Sequence, residues 1–170
     1  MPYICCTQKL AKELNTKLCS PITENTGLGN WYANLLRIDR KKCVLFTHEQ
    51  TLYSVFIPSL KKPAFQHLDD IFLRALFKQL QEEKFGDVQV ERVLNEYDGK
   101  IRYAKTKNRS VLGSMNDIAF QIKTDVHAYT NLDNVNILSL VKRLNRIPFK
   151  AIGFEYPEKL FRSRIEQYLH

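Results

Sequence analysis

The chain has 170 residues, of which 44% are hydrophobic and 26% are charged, with six glycines and six prolines. This length fits one folded domain, and the composition excludes an intrinsically disordered chain. The net charge of +8 is uneven: residues 1–98 carry 13 Lys/Arg against 12 Asp/Glu, and residues 99–170 carry 13 against 6. An excess of positive charge favours nucleic acid, a phosphorylated ligand or an acidic protein as partner, but a solvated surface explains it equally well.

Neither the four cysteines nor the four histidines show the spacing of a metal site, and there is no Cys-x-x-Cys pair. The N terminus lacks the charged segment and apolar run of a secretory signal. No apolar stretch approaches the ~18 residues that a membrane-spanning helix needs. We therefore expect a cytoplasmic protein without metal, cofactor or membrane partner. Its thiols should be free and mostly buried; they are Cys5, Cys6, Cys19 and Cys43.

The N-terminal part of the chain predicts one strand, one helix and a loop. Tyr3–Cys6 is typical of a short strand, in which Cys5 and Cys6 point to opposite faces. Thr7 is a candidate N-cap for a helix that extends to Leu14. Residues 15–30 contain several glycine, proline and asparagine signals, which indicate a loop.

A three-stranded antiparallel meander is predicted for residues 31–57. The two polar breaks between its strand-like runs are too short for any crossover, so neighbouring runs must be antiparallel. The runs are residues 31–38, 43–47 and 52–57. Pro58 should end the third strand, and residues 61–63 should form a turn. Apolar residues at helical spacing then predict a helix from Leu68 to about Glu83.

The second half predicts three more helices and one or two strands. Residues 88–94 are compatible with either helix or strand, Asp98 and Gly99 indicate a turn, and residues 100–105 a strand. An apolar stripe then predicts a helix from Ser110; it comprises Val111, Met115, Ile118, Ile122 and Val126. Helices are also expected at about 134–145 and from Pro157 onward, and a short strand at 150–154. The last helix should bury Phe161, Ile165 and Tyr168.

These elements predict an α+β fold in a single compact domain, residues 1–170. Its antiparallel sheet would contain the meander and the strand at 100–105, with helices packed mainly on one face. No internal repeat, linker or low-complexity tract suggests a second domain.

Four segments give the chain a resemblance to a family of small bacterial proteins that carry a domain of unknown function. The segments are Cys6-Thr-Gln-Lys-Leu10, Trp31-Tyr-Ala-Asn-Leu-Leu-Arg-Ile-Asp-Arg-Lys-Lys-Cys-Val-Leu-Phe46, Asn108-Arg-Ser-Val-Leu-Gly-Ser-Met-Asn-Asp117 and Leu144-Asn-Arg-Ile-Pro-Phe-Lys-Ala-Ile-Gly153. The resemblance covers nearly the whole chain. It implies a bacterial or mobile-element origin and a single compact unit, but no activity, cofactor or catalytic residue. The family motif usually has His after the Trp, where this chain has Tyr32.

The loop at residues 105–110 is the first candidate site, because a basic loop that leads into a helix start can hold an anion. Lys105, Lys107 and Arg109 would supply positive charge. Asn108 or Ser110 would cap the helix. Free N–H groups of residues 110–112 would face a phosphate. The alternative is a capped helix with an exposed basic approach. The loop lacks the Gly-x-x-x-x-Gly-Lys motif, which excludes a nucleoside-triphosphate P-loop.

Other candidates carry weaker signals. The hairpin tip at residues 39–42 has three cations, which can follow a nucleic-acid backbone but are also ordinary for an exposed turn. His48 and His67 could act as general bases, although neither has a partner in sequence. Two further groups could either pack in the interior or contact a ligand. They are the helix face of Ser114, Asp117 and Gln121 next to Gly113, and the aromatic residues Trp31, Tyr32 and Tyr53.

The sequence leaves three functions open. The first is a cytoplasmic binding module for nucleic acid or another phosphate-rich ligand. The second is an enzyme, a small metal-independent ribonuclease of the toxin kind. Its catalytic groups would come from a pool of Arg37, His48, Tyr103, Lys105 and Arg109. The third is a module that binds an acidic protein partner, which requires an exposed apolar patch beside the charge.

Overall fold

The computed structural model describes residues 2–20, 27–97, 99 and 101–168. Within these residues, five strands form one sheet: β1 (Tyr3–Cys6), β2 (Trp31–Ile38), β3 (Lys41–His48), β4 (Ser54–Leu60) and β5 (Arg102–Lys105). The α-helices of the described residues are α1 (Gln8–Leu14), α2 (Leu68–Glu82), α3 (Asp87–Tyr97), α4 (Arg109–Ala128), α5 (Ile137–Leu144) and α6 (Pro157–Tyr168). Short 3-10 helices lie at Lys62–His67, Leu132–Asn134 and Lys150–Ile152.

The strand order is β4-β3-β2-β1-β5. Strands β2, β3 and β4 pair antiparallel, which confirms the predicted meander. Strand β1 instead runs parallel to both of its neighbours, β2 and β5, so the sheet is mixed rather than wholly antiparallel. The parallel pairing is feasible because long connections separate β1 from β2 and from β5 in sequence. The predicted α+β class is confirmed.

Side chains alternate between the two faces of the sheet, and each face has its own core. Trp31 and Cys6 belong to the first core, which α1, α2, α3 and α6 cover. Tyr32 and Cys5 belong to the second core, which α4 and α5 cover. Four of the six helices in the described residues therefore pack on one face. The opposite orientations predicted for Cys5 and Cys6 are confirmed. All four cysteines are free, and all except Cys19 are buried.

An aromatic cluster fills the centre of the first core. The Trp31 ring makes edge-on contacts with five other rings, which belong to His48, Tyr53, Phe72, Tyr97 and Phe161. Its Nε1 donates a hydrogen bond of 2.7 Å to the Tyr97 hydroxyl, so the buried indole N–H is satisfied. Trp31, Tyr32 and Tyr53 are all buried, which leaves none of them free to stack on a nucleic-acid base.

Strand β4 continues past Pro58, contrary to the prediction that this proline ends it. The pairing shifts between Lys42 and Val44, so Pro58 and Ser59 on β4 face a single residue of β3. This β-bulge places Ser59 at φ 58°. Because β4 is the edge strand and Pro58 lies at the bulge, the missing N–H costs no ladder hydrogen bond.

The structure resolves one ambiguous prediction and differs from two others. Residues 88–94 are helical and belong to α3. The prediction of a strand at 150–154 is wrong. A 3-10 turn lies there instead, and an isolated bridge joins the flanking residues Phe149 and Glu155. Tyr168 is exposed rather than inward, although Phe161 and Ile165 are buried as predicted. Asp98 and Lys100, at the predicted turn and strand, lie outside the described residues.

The sheet topology brings most of the candidate residues to one edge. The ends of β1, β2, β4 and β5 and the start of β3 all meet there. We call this edge the carboxyl edge. It holds both the hairpin tip that follows β2 and the loop that follows β5.

Candidate nucleic-acid interface

The N terminus of α4 is capped by Asn108, one of the two residues predicted for this role. The Asn108 Oδ1 accepts hydrogen bonds from the N–H groups of Ser110 (2.9 Å) and Val111 (3.3 Å). The Leu112 N–H donates to the Asn108 carbonyl oxygen at 3.3 Å. The three N–H groups that were expected to face a phosphate thus already have acceptors within the chain. An anion could reach those of Ser110 and Val111 only by displacing the cap.

The Tyr32 side chain connects the same loop to strand β2 of the sheet. Its hydroxyl accepts hydrogen bonds from the N–H groups of Lys107 (3.3 Å) and Asn108 (2.8 Å). Burial raises the pKa of the Tyr32 phenol, and the two backbone hydrogen bonds oppose that rise. Sequence reasoning missed this role. The only signal was an amphipathic side chain in a buried strand, whose hydroxyl must find a partner somewhere.

The loop side chains remain available. Lys105, Lys107 and Arg109 are exposed, and the described residues provide no ion-pair partner for any of them. Ser110 is also exposed. An anion at this loop would therefore be held by flexible cations rather than by a prepared set of backbone donors.

The hairpin tip is more rigidly built. Asp39 and Arg40 form a two-residue turn with φ values of 51° and 64°, as in the type I′ turns that suit the twist of a hairpin. The Asp39 Oδ2 accepts a 2.6 Å hydrogen bond from the Leu132 N–H, which fixes the tip to the segment after α4. Arg40 has no such bond among the described residues, yet it occupies a backbone region that costs a non-glycine residue about 1–2 kcal/mol.

The bulge in β4 brings a second basic segment to this tip. Because β4 continues to Leu60, which pairs with Lys42, the following residues Lys61 and Lys62 lie beside the hairpin. Together the two segments line a groove of about 500 Å³. We call it the basic groove; its lining residues are Arg37, Arg40, Lys41, Lys42, Ser59, Leu60, Lys61 and Lys62.

Two of the six cations in the basic groove are ion paired. Lys41 contacts Asp133 at 2.8 Å, and Lys42 contacts Glu13 at 2.7 Å. The other four cations have no ion pair with any residue that the structure describes; they are Arg37, Arg40, Lys61 and Lys62. All four are exposed. None of the described residues in the lining is aromatic, so the groove suits phosphate groups rather than stacked bases.

His48 lies apart from three other members of the proposed ribonuclease pool, namely Arg37, Lys105 and Arg109, which are at the carboxyl edge. His48 pairs with Trp31 at one end of β2, whereas Arg37 lies toward the other end. The His48 ring is buried, its Nε2 bonds the Leu28 carbonyl at 2.8 Å, and its Nδ1 accepts from Thr51. Burial lowers the pKa of His48 to about 3. A neutral ring with both nitrogens occupied cannot serve a substrate as general base.

The remaining candidates of the sequence analysis do not form a site. Ser114 is buried and Asp117 is exposed, so they do not share an accessible face. A Cβ added to Gly113 would meet no atom within 4 Å, so close packing does not explain that glycine. Burial raises the pKa of Tyr103, which is partly covered by the first core.

The described residues contain no group of three or more His, Cys, Asp or Glu side chains that could hold a metal ion. In the same part of the chain, no helix has both the length and the apolar character to cross a membrane.

The interface residues lie within the part of the chain that a known protein family covers. No curated protein matches the chain. The sequence profile of a domain of unknown function, DUF6933, matches residues 3–160, and this range includes the basic groove and the loop at 105–110. The chain therefore belongs to the family of this domain of unknown function, DUF6933.

Proposed function

We propose that the protein binds the phosphate backbone of nucleic acid through the basic groove. The observation that carries the proposal is the convergence of six cations from two separate segments, residues 37–42 and 61–62, on one groove. Four of these cations lack an ion-pair partner in the described chain, so an external anion would find them free. Contacts between cations and phosphates supply most of the sequence-independent affinity for nucleic acid.

The geometry favours a backbone reader that tolerates many sequences. The described residues that line the groove offer no aromatic platform, and their only groups suited to a base edge are the charged side chains and the Ser59 hydroxyl. The loop at 105–110 lies at the same carboxyl edge, and the exposed side chains of Lys105, Lys107 and Arg109 extend the positive surface there. The loop would add attraction, whereas the groove would fix the position of the strand.

The number of free cations sets the expected salt dependence. If all four neutralise one phosphate each, the logarithm of the binding constant for a single strand should fall with the logarithm of salt concentration with a slope of about −3, from about −0.7 for each contact. A diffuse encounter with the whole +8 surface would instead lose the same part of this slope wherever two exposed cations are reversed.

A titration with a fluorescein-labelled oligothymidylate of about 12 nucleotides tests the proposal. The groove variant is Lys61→Glu with Lys62→Glu. The matched control is Lys84→Glu with Arg146→Glu, which reverses two exposed cations. Both residues lie at the end of the sheet opposite the carboxyl edge, where β4 begins, next to Glu83 and Asn145. Both variants change the net charge equally.

We expect the groove variant to weaken binding by about ten-fold or more and to reduce the salt slope by about 1.4, since two phosphate contacts are lost. The control should change the affinity by no more than about three-fold. Equal weakening in the two variants would mean diffuse attraction without a site, and the proposal would be wrong.

A further inference from the structure

The outer edge of β4 is already occupied at one end by a side chain. Asn145, just after α5, accepts a hydrogen bond from the Ser54 N–H at 2.8 Å and donates one to the Ser54 carbonyl at 3.1 Å. A neighbouring strand would make the same pair of bonds. Ser54 therefore directs its backbone groups away from β3, and an amide side chain substitutes there for a missing sixth strand.

The next outward-facing residue on β4 has no such substitute. Backbone groups alternate in direction along a strand, so Phe56, two residues after Ser54, also directs its N–H and carbonyl away from β3. The described side chains and loops provide no hydrogen-bond partner for either group. Pro58 follows with a carbonyl but no N–H. The edge thus presents one complete donor–acceptor pair and one further acceptor.

This stretch of edge forms the floor of an apolar groove between two helices. The groove has a volume of about 400 Å³ and is lined on one side by α2 and on the other by the start of α5. The lining side chains on α2 include Ile71 and Ala75, and those on α5 are Ile137 and Leu138. The walls therefore offer apolar contact to alternate side chains of an extended segment, while the floor offers backbone hydrogen bonds.

Two cations on α2 determine what kind of segment fits. Arg74 and Lys78 line the groove, are exposed, and have no ion pair with any residue that the structure covers. Among the residues that the structure describes, no acidic side chain lines the groove. A second copy of this chain paired through β4 about a two-fold axis would bring a second set of these cations to the same interface. Charge complementarity instead favours an acidic partner.

We propose that this groove binds an extended, acidic peptide segment of a partner protein, which adds a strand to the outer edge of β4 at Phe56. Apolar side chains of the segment would pack between α2 and α5, and a carboxylate would pair with Arg74 or Lys78. This interaction uses a different part of β4 from the basic groove and does not depend on nucleic-acid binding.

Selection of random octapeptides by phage display on the full chain provides the probe, and the most enriched peptide is then synthesised and titrated. We expect alternating apolar residues and at least one acidic residue. Ala75→Arg, which fills the groove, should weaken binding at least about ten-fold, and Lys78→Glu by about ten-fold through loss of a charged contact. Lys123→Glu, an exposed cation on α4 outside this groove, is the matched control and should change affinity less than about two-fold.

Hydrogen exchange separates strand addition from other modes of binding. The bound peptide should slow exchange of the Phe56 amide in the labelled protein. The proposal is overturned if enriched peptides bind Ala75→Arg as well as the original chain, or if the Phe56 amide exchanges at the same rate with and without peptide. A dimer in solution that Ala75→Arg dissociates would also overturn it, because the occupant would then be a second copy.

Discussion

Replacing Tyr32 with Phe isolates the hydroxyl that ties the loop at 105–110 to the sheet. The ring is buried in the second core, so the change removes one oxygen and leaves the packing intact. The two N–H groups of Lys107 and Asn108 lose their acceptor. Two such bonds contribute about 1–3 kcal/mol together, and because both residues are exposed, water recovers part of this. We expect a loss of about 1–1.5 kcal/mol in the free energy of unfolding.

For a chain of this length, that loss corresponds to a decrease in Tm of about 2–6 °C. Thermal unfolding measures it, and amide exchange at Lys107 and Asn108 should accelerate at the same time. Tyr156→Phe is the control, since its exposed side chain has no hydrogen bond within the described residues. If Tyr32→Phe leaves both Tm and the exchange of these two amides unchanged, the hydroxyl does not anchor the loop.

Two further variants test other features of the same geometry. The native His48 ring has a pKa of about 3, and the unfolded ring one near ~6.5. As the pH falls between these values the unfolded state binds a proton that the native state cannot, so stability is lost. In urea unfolding from pH 7 to 4, His48→Gln should therefore lose less stability than the original chain. The difference in the free energy of unfolding should reach up to about 1.4 kcal/mol per pH unit. Equal slopes of this free energy against pH in the two proteins would contradict the burial of a neutral ring. Arg40→Gly should relieve the left-handed backbone at φ 64° and raise the stability by about 1 kcal/mol or less. The same change should weaken oligothymidylate binding, and a variant that is more stable and binds equally well would remove Arg40 from the interface.

The sequence predicted elements that local patterns define. Strands β2 to β4 follow from three strand-like runs that short polar breaks separate, and the stripe from Val111 to Val126 predicted α4 because its spacing is helical. The cap could be limited to Asn108 or Ser110, since capping depends on the adjacent N–H groups, and the structure selects Asn108. The parallel pairing of β1 with β2 and β5 left no such signal, because its partners are far away in sequence.

Summed charge was a misleading guide to the basic surface. The second part of the chain carries the excess of +7, yet every cation of the basic groove comes from residues 37–62, in the part whose net charge is +1. The acids that balance the first part are mostly elsewhere, for example Asp69 and Asp70 at the start of α2 and Glu83 at its end. A net charge counts residues, whereas a groove depends on which of them the fold brings together.

The bulge at Pro58 and Ser59 divides β4 into the two functions proposed for it. Before the bulge, the backbone groups of Phe56 point away from β3 toward an apolar groove, and after it the strand leads into Lys61 and Lys62. An acidic partner that followed β4 through the bulge would reach both grooves, and it would then account for the basic groove without nucleic acid. The two readings differ in the response to Lys61→Glu with Lys62→Glu. If the grooves are separate, this variant weakens binding of the oligothymidylate but not of the octapeptide. Lys78→Glu then weakens binding of the octapeptide but not of the oligothymidylate. If one acidic protein occupies both, the two variants weaken the same ligand, and the partner-binding interpretation replaces the nucleic-acid one.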